Sequence, residues 1–177
     1  MENYKYTKTW FIGNEIMFIL DKFLDRTSEN RILDIGCYDG LSTSFFANNF
    51  IDNSNSSSTC VDPYLSIDSN DEKSFEYNVS ICKNREKIKI NKITSDNFFK
   101  DNDKTFNFIY IRSYNLPDFI KRDMENSFNF LEKNGIIWMD DYKPKEEIKN
   151  VIDEFLIKYE GQYKLLHMNF QLAIMKL

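Results

Sequence analysis

The stretch Arg31-Ile-Leu-Asp-Ile-Gly-Cys-Tyr-Asp-Gly-Leu-Ser-Thr-Ser-Phe-Phe46 constrains the fold of this chain more than any other. A short apolar run breaks at Gly36, and a helical pattern restarts near Leu41. A strand that turns on glycine into a helix leaves unpaired backbone N–H groups at the helix start, where an anionic or carboxylate-bearing ligand can sit. Gly36 can take the positive φ needed just after a strand, and Gly40 lets the backbone approach a ligand or a neighbouring element. The chain has only five glycines, and two fall in this five-residue window. A Gly-x-x-x-Gly spacing by itself also describes a plain strand-to-helix turn.

Ser58-Thr-Cys-Val-Asp62-Pro63 is a second β-like run, ending in an acidic residue. In a doubly wound sheet, a carboxylate at the end of the second strand lies beside the first and can accept hydrogen bonds from a ribose. Asp62 is therefore the ribose candidate, with a turn-starting Asp before proline as the other reading.

The remaining pattern alternates. Helices are predicted at Asn14 to Phe23, Leu41 to Asn49, Asp71 to Cys82, Asp118 to Leu131 and Glu146 to Tyr159, each with apolar residues at helical spacing. Strands are predicted at Arg31 to Ile35, through Val61, at Lys87 to Ile93, at Phe106 to Ile111 and at Gly135 to Met139. The Phe106 to Ile111 run is apolar enough to be buried on both faces. Tyr163 to His167 and Phe170 to Lys176 are close enough to pair as a hairpin, so the sheet is expected to be mostly parallel with an antiparallel edge strand.

At 177 residues and 42% hydrophobic content, the chain is expected to form one domain over 1–177, with 1–28 as an N-terminal helical segment. A net charge of −5 argues against a general nucleic-acid surface, although Lys83 to Lys92 holds five basic residues and one acid. That run reads as a solvated helix end and strand, with a partner-binding patch as the alternative. Three unevenly spaced cysteines suggest neither a disulfide framework nor a zinc set, and reduced thiols point to the cytoplasm. No leader and no run of membrane-spanning length is apparent.

Asp34-Ile-Gly-Cys-Tyr-Asp-Gly-Leu-Ser-Thr43, Val61-Asp-Pro-Tyr64 and Gly135-Ile-Ile-Trp-Met-Asp-Asp-Tyr142 together resemble the class I S-adenosylmethionine-dependent methyltransferases. Within them the chain is most similar to the small group related to catechol and macrolide-sugar O-methyltransferases. A nicotinamide-binding fold fits worse, since Gly-x-Gly-x-x-Gly is absent and Tyr38 stands at its second glycine. The resemblance implies an α/β fold: a Rossmann-like, mostly parallel seven-stranded sheet with helices on both faces and a C-terminal antiparallel hairpin. It implies S-adenosylmethionine as cofactor, bound by Gly36, Tyr38, Gly40, Ser42 and Asp62, with Ser95 and Asp96 toward the adenine. An N-cap role is an equal reading for Ser95 and Asp96, and helix initiation for Tyr38 and Ser42.

Metal-dependent enzymes of this kind place one Asp after the fourth strand and an acidic pair after the fifth. This chain keeps the pair, Asp140 and Asp141, but carries Arg112 at the first position and Asn115 at the usual base position. A guanidinium cannot ligate a metal, so Arg112 is expected to pair with a neighbouring carboxylate and no metal ligand set is expected. Asn115 cannot take a proton near neutral pH, which leaves Asp140 or Asp141 as base. His167, the only histidine, falls in the hairpin and reads as structural or surface. Trp10, Phe11 and Trp138 read as core or substrate wall.

The expected activity is O-methylation of a sugar or other small hydroxylated acceptor without metal, in a protein that binds neither nucleic acid nor membrane, with self-association left open. A noncatalytic cofactor-binding or interaction domain is the competing reading, in which Arg112 is only a structural salt bridge.

Overall fold

In the computed structural model, residues 3–7, 11–64, 70–112, 116–143 and 145–177 are described, so Trp10 and Asn115 lie outside the described residues. The elements follow in the order α1 (Gly13–Phe23), β1 (Arg31–Ile35), α2 (Leu41–Asn49), β2 (Ser57–Val61), α3 (Asn70–Ser80), β3 (Ile88–Asn91), α4 (Ser95–Asp101), β4 (Phe106–Ile111), α5 (Pro117–Phe130), β5 (Leu131–Met139), α6 (Glu146–Lys158), β6 (Tyr163–Met168) and β7 (Leu172–Lys176). Seven strands form one sheet in the order β3-β2-β1-β4-β5-β7-β6. Only the pairings of β7, with β5 and with β6, are antiparallel.

Strand alternation sorts the core into two layers. Leu33, Ile35, Ile109, Ile111, Ile137 and Met139 meet Ile120, Met124 and Phe128 of α5 and Ile148, Ile152 and Phe155 of α6. The intervening Ile32, Phe108, Tyr110, Ile136 and Trp138 meet Ile16 and Leu20 of α1 and Phe46 of α2. Period-two alternation with both faces apolar is what a covered parallel sheet requires, and β4 is buried along nearly its whole length. β1 pairs in parallel with both β2 and β4. The chain order reverses there, and in such a sheet the crevice lies outside the carboxyl ends of the two strands, β1 and β4, at the reversal.

Most boundaries move by a residue or two, and three differences from the sequence reading are larger. Lys87 closes a 3₁₀ turn begun at Arg85, and the third strand runs only from Ile88 to Asn91. The fifth strand begins four residues early, because Leu131 already pairs with Phe106 across an irregularity. Asn134 there has φ 63°, and a Cβ on Gly135 would lie 2.9 Å from the Glu132 carbonyl. The short helix α4 is missing from the predicted elements, although an N-cap role is one reading for Ser95 and Asp96; the cap is Thr94, which accepts from the Asn97 N–H at 3.3 Å. No described helix is long and apolar enough to cross a membrane.

Candidate functional site

The turn after β1 is built from left-handed backbone at Gly36 (φ 82°), Tyr38 (φ 53°) and Gly40 (φ 86°). It is tied to β2 by the Gly36 N–H, which donates to the Val61 carbonyl at 2.9 Å. Asp62, one residue beyond β2, accepts from the N–H of Tyr38 at 3.1 Å and of Tyr64 at 2.9 Å. A carboxylate offers about four acceptor positions, so this one is oriented by the turn and keeps capacity for a ligand's hydroxyls. Burial pushes the Asp62 carboxyl above the usual range, and the two N–H donors pull it back down. At Gly40 the close neighbour is protein: a Cβ would lie 3.1 Å from the Phe75 ring of α3.

Beneath the turn lies Asp34, fully buried. It accepts from the hydroxyls of Ser42 at 2.9 Å and Thr43 at 2.6 Å. Ser42 is thereby engaged with a protein carboxylate at the start of α2. Burial raises Asp34 to about 6, against the opposing pull of those two donors. Cys37 and Cys60 place their sulfurs within 4.8 Å of Asp34 and of each other. The Cys37 thiol donates to the Asp34 carbonyl, and burial pushes it up, away from the thiolate a metal would need. This group satisfies itself as core.

On the other wall of the crevice, Arg112 N–H donates to the Ile35 carbonyl and Asp140 N–H to the Ile111 carbonyl, extending the β1–β4–β5 ladder by one residue. That register sets the two side chains next to each other: Arg112 Nε lies 3.2 Å from Asp140 Oδ2, with both side chains largely buried. The second carboxylate oxygen, Oδ1, accepts from the Gln171 side-chain amide. Burial raises Asp140 above the usual range, Arg112 opposes that shift, and the Asp141 charge adds to it. Tyr110, with a buried ring, adjoins Asp140, and its hydroxyl is pushed up by burial and by that negative charge. With Asp140 engaged by an arginine and an amide donor, the residues at these positions do not fit the oxygen-ligand set of a divalent ion.

The described N-terminal residues 3–7 pack on the turn and on α3. Thr7 donates through its N–H (2.6 Å) and hydroxyl (3.1 Å) to Asp39 of the turn, and Lys5 N–H donates to Asn78 Oδ1 at 2.7 Å. Phe11, Tyr38 and Arg112 line the same cleft as Gly36 and Ser42, and the Arg112 guanidinium lies 5.9 Å from the Tyr38 ring centre. The fold thus brings together Gly36, Tyr38, Ser42, Asp62, Arg112 and Asp140.

Ser95 and Asp96 start α4, where Asp96 forms an exposed ion pair with Arg122 at 3.0 Å. His167 lies 3.0 Å from Glu15 and stacks on Trp138 in the neighbouring layer. Sequence reasoning missed Asp39, Asn78 and Gln171. Only the pairing Met139↔Leu172, which sets Gln171 across from Asp140, reveals the last of these.

A family profile described as a methyltransferase domain matches residues 33–142, more than half of the chain. No curated protein matches the sequence. Among solved structures, the chain is similar to a candidate rRNA methylase from Clostridium thermocellum at 16% identity and TM-score 0.74, over 93% of this chain and 94% of that one. It is similar to an O-methyltransferase from Bacillus cereus in complex with S-adenosylhomocysteine at 14% identity and TM-score 0.68, over 99% and 84%. The O-methyltransferase TomG from Streptomyces achromogenes, solved with S-adenosylmethionine, matches at 12% identity and TM-score 0.69, over 93% and 79%.

Proposed function

Starting from a chain that belongs to the class I S-adenosylmethionine-dependent methyltransferases, we propose that it methylates a hydroxyl of a sugar or other small hydroxylated molecule without a bound divalent metal. The observation that carries this reading is the Arg112–Asp140 pair, with its 3.2 Å contact, at the strand ends where a metal would otherwise be held. The whole chain, 1–177, acts as one unit, with 1–28 supplying a wall through Phe11.

The residues fit the cofactor. Asp62, held by two N–H donors beside the turn, is the acceptor for the ribose hydroxyls. The left-handed turn at Gly36 and Tyr38 carries the methionine end, Ser42 fixes Asp34 beneath it, and Ser95 and Asp96 flank the adenine side. S-adenosylmethionine supplies an electrophilic sulfonium methyl. The chain must orient the acceptor oxygen in line with that methyl and remove its proton. Of the acidic pair that follows β5, Asp141 takes the proton. Arg112 supplies the fixed positive charge beside the acceptor.

A ribosomal RNA substrate, suggested by the names of two structural neighbours, is disfavoured by charge. The net charge is −5. The basic run is largely spent on the protein itself: Lys83 on Asp52, Lys92 on Glu72 and Glu76, and Lys87 on the carbonyls of Ile51, Asp52 and Asn53.

The test is transfer of a labelled methyl from S-adenosylmethionine to a panel of nucleotide sugars, free sugars and phenols. Transfer is expected, with Asp141→Asn slowing it about 10²-fold or more, as for loss of a general base. Tight cofactor binding with no transfer to any acceptor would favour the noncatalytic reading.

A further inference from the structure

We propose that Gln171 is a positioning residue that acts through Asp140 to hold the Arg112 guanidinium in place, an inference that rests on the proposed methyl-transfer reading for its consequence in turnover. Gln171 belongs to none of the motifs that identify the site. It lies in the turn between β6 and β7, and because Met139 pairs with Leu172 across the antiparallel ladder, the next residues outward, Asp140 and Gln171, face each other. The turn is itself anchored: Asn169 N–H donates to the Gln171 carbonyl at 2.8 Å, and the Phe170 carbonyl accepts from Tyr142 at 2.9 Å and Lys143 at 3.2 Å. The hairpin tip therefore grips the Asp140–Asp141 segment from outside.

Gln171 is 1% exposed, and its amide nitrogen donates to Asp140 Oδ1 while Arg112 Nε pairs with Oδ2. Its amide oxygen is buried without a hydrogen-bond partner among the described residues. A buried amide that leaves its oxygen unsatisfied is oriented by what its nitrogen binds, here a carboxylate. With both oxygens held, the Asp140 carboxylate cannot rotate, and Oδ2 stays on the guanidinium. Glutamine suits the position because it reaches from the hairpin and donates without adding charge. Glutamate would set a second carboxylate against Asp140, and methionine would fill the space with no donor.

The experiment follows the Arg112 Nε–H resonance by NMR, together with turnover and cofactor binding, in the wild type, Gln171→Met and Gln171→Glu. In Gln171→Met the Arg112 Nε–H should exchange with water about tenfold faster, the scale expected for losing one hydrogen bond to a charged group. With any acceptor from the panel, kcat should fall by a similar factor while the S-adenosylmethionine Kd stays within about twofold, since Gln171 does not touch the cofactor turn. Gln171→Glu should behave alike, and it carries the test if the methionine variant does not fold.

Unchanged Arg112 Nε–H exchange in a folded variant would overturn the proposal. So would a loss of cofactor affinity as large as the loss of kcat, which would mark Gln171 as merely structural. A wild type that transfers no methyl to any acceptor would remove the functional reading, and the Arg112 exchange rate would still decide the role of Gln171.

Discussion

Asp34 and Asp62 show how one residue type serves two ends within a few ångströms of the same turn. Asp34 has no access to solvent, and its two hydroxyl donors only partly offset burial, so it titrates near 6 against an ordinary 3.8. A carboxyl whose folded value is raised contributes stability that is fully present below its unfolded value and is lost as pH rises through the folded one. Across the window from 3.8 to about 6, this group should withdraw roughly 3 kcal/mol. Asp34→Asn should flatten that part of the stability profile, measured by urea unfolding between pH 4 and 6.5; an unchanged slope would mean Asp34 does not titrate there. Asp62 is instead open on one side. Asp62→Ala should weaken S-adenosylmethionine binding by about 1–3 kcal/mol, read by calorimetric titration, through loss of charged-acceptor hydrogen bonds.

Among the elements, those with a strong local signal were legible in the sequence. Arg31–Ile35, Leu41–Asn49 and Phe106–Ile111 stand where apolar patterning and the glycine break put them. The helix Ser95–Asp101 was hidden because its seven residues carry only the adjacent Phe98 and Phe99, which is no helical period. The early start of β5 was hidden because Glu132-Lys-Asn interrupts its apolar run, and only the pairing with β4 recovers it. Within the site, the crevice residues near a motif could be named, whereas Gln171, Asp39 and Asn78 depend on contacts between segments far apart in sequence. Gly40 was legible as a special position, but the close approach there is to Phe75. Gly40→Ala should cost about 1–2 kcal/mol from the left-handed backbone alone, with a further penalty as the Phe75 ring 3.1 Å away gives ground. Urea unfolding would measure this, and a neutral result would show that the turn relaxes freely.

For the molecule as a whole, the sheet sets the glycine turn, the Asp62 carboxylate and the Arg112–Asp140 pair at the carboxyl ends of neighbouring strands, with Thr7 bonded to the turn and the hairpin tip to the Asp140 segment. Chemistry at the carboxyl ends of parallel strands is a property of this architecture. In this chain a guanidinium, that of Arg112, stands beside the Asp140 carboxylate. The most direct measurement is methyl transfer from S-adenosylmethionine, at saturating acceptor, before and after exhaustive treatment with EDTA and again after adding back magnesium or calcium. The rate should be the same in all three, because Arg112 and Gln171 engage the oxygens of Asp140. A rate that collapses on chelation and returns with the ion would contradict the account.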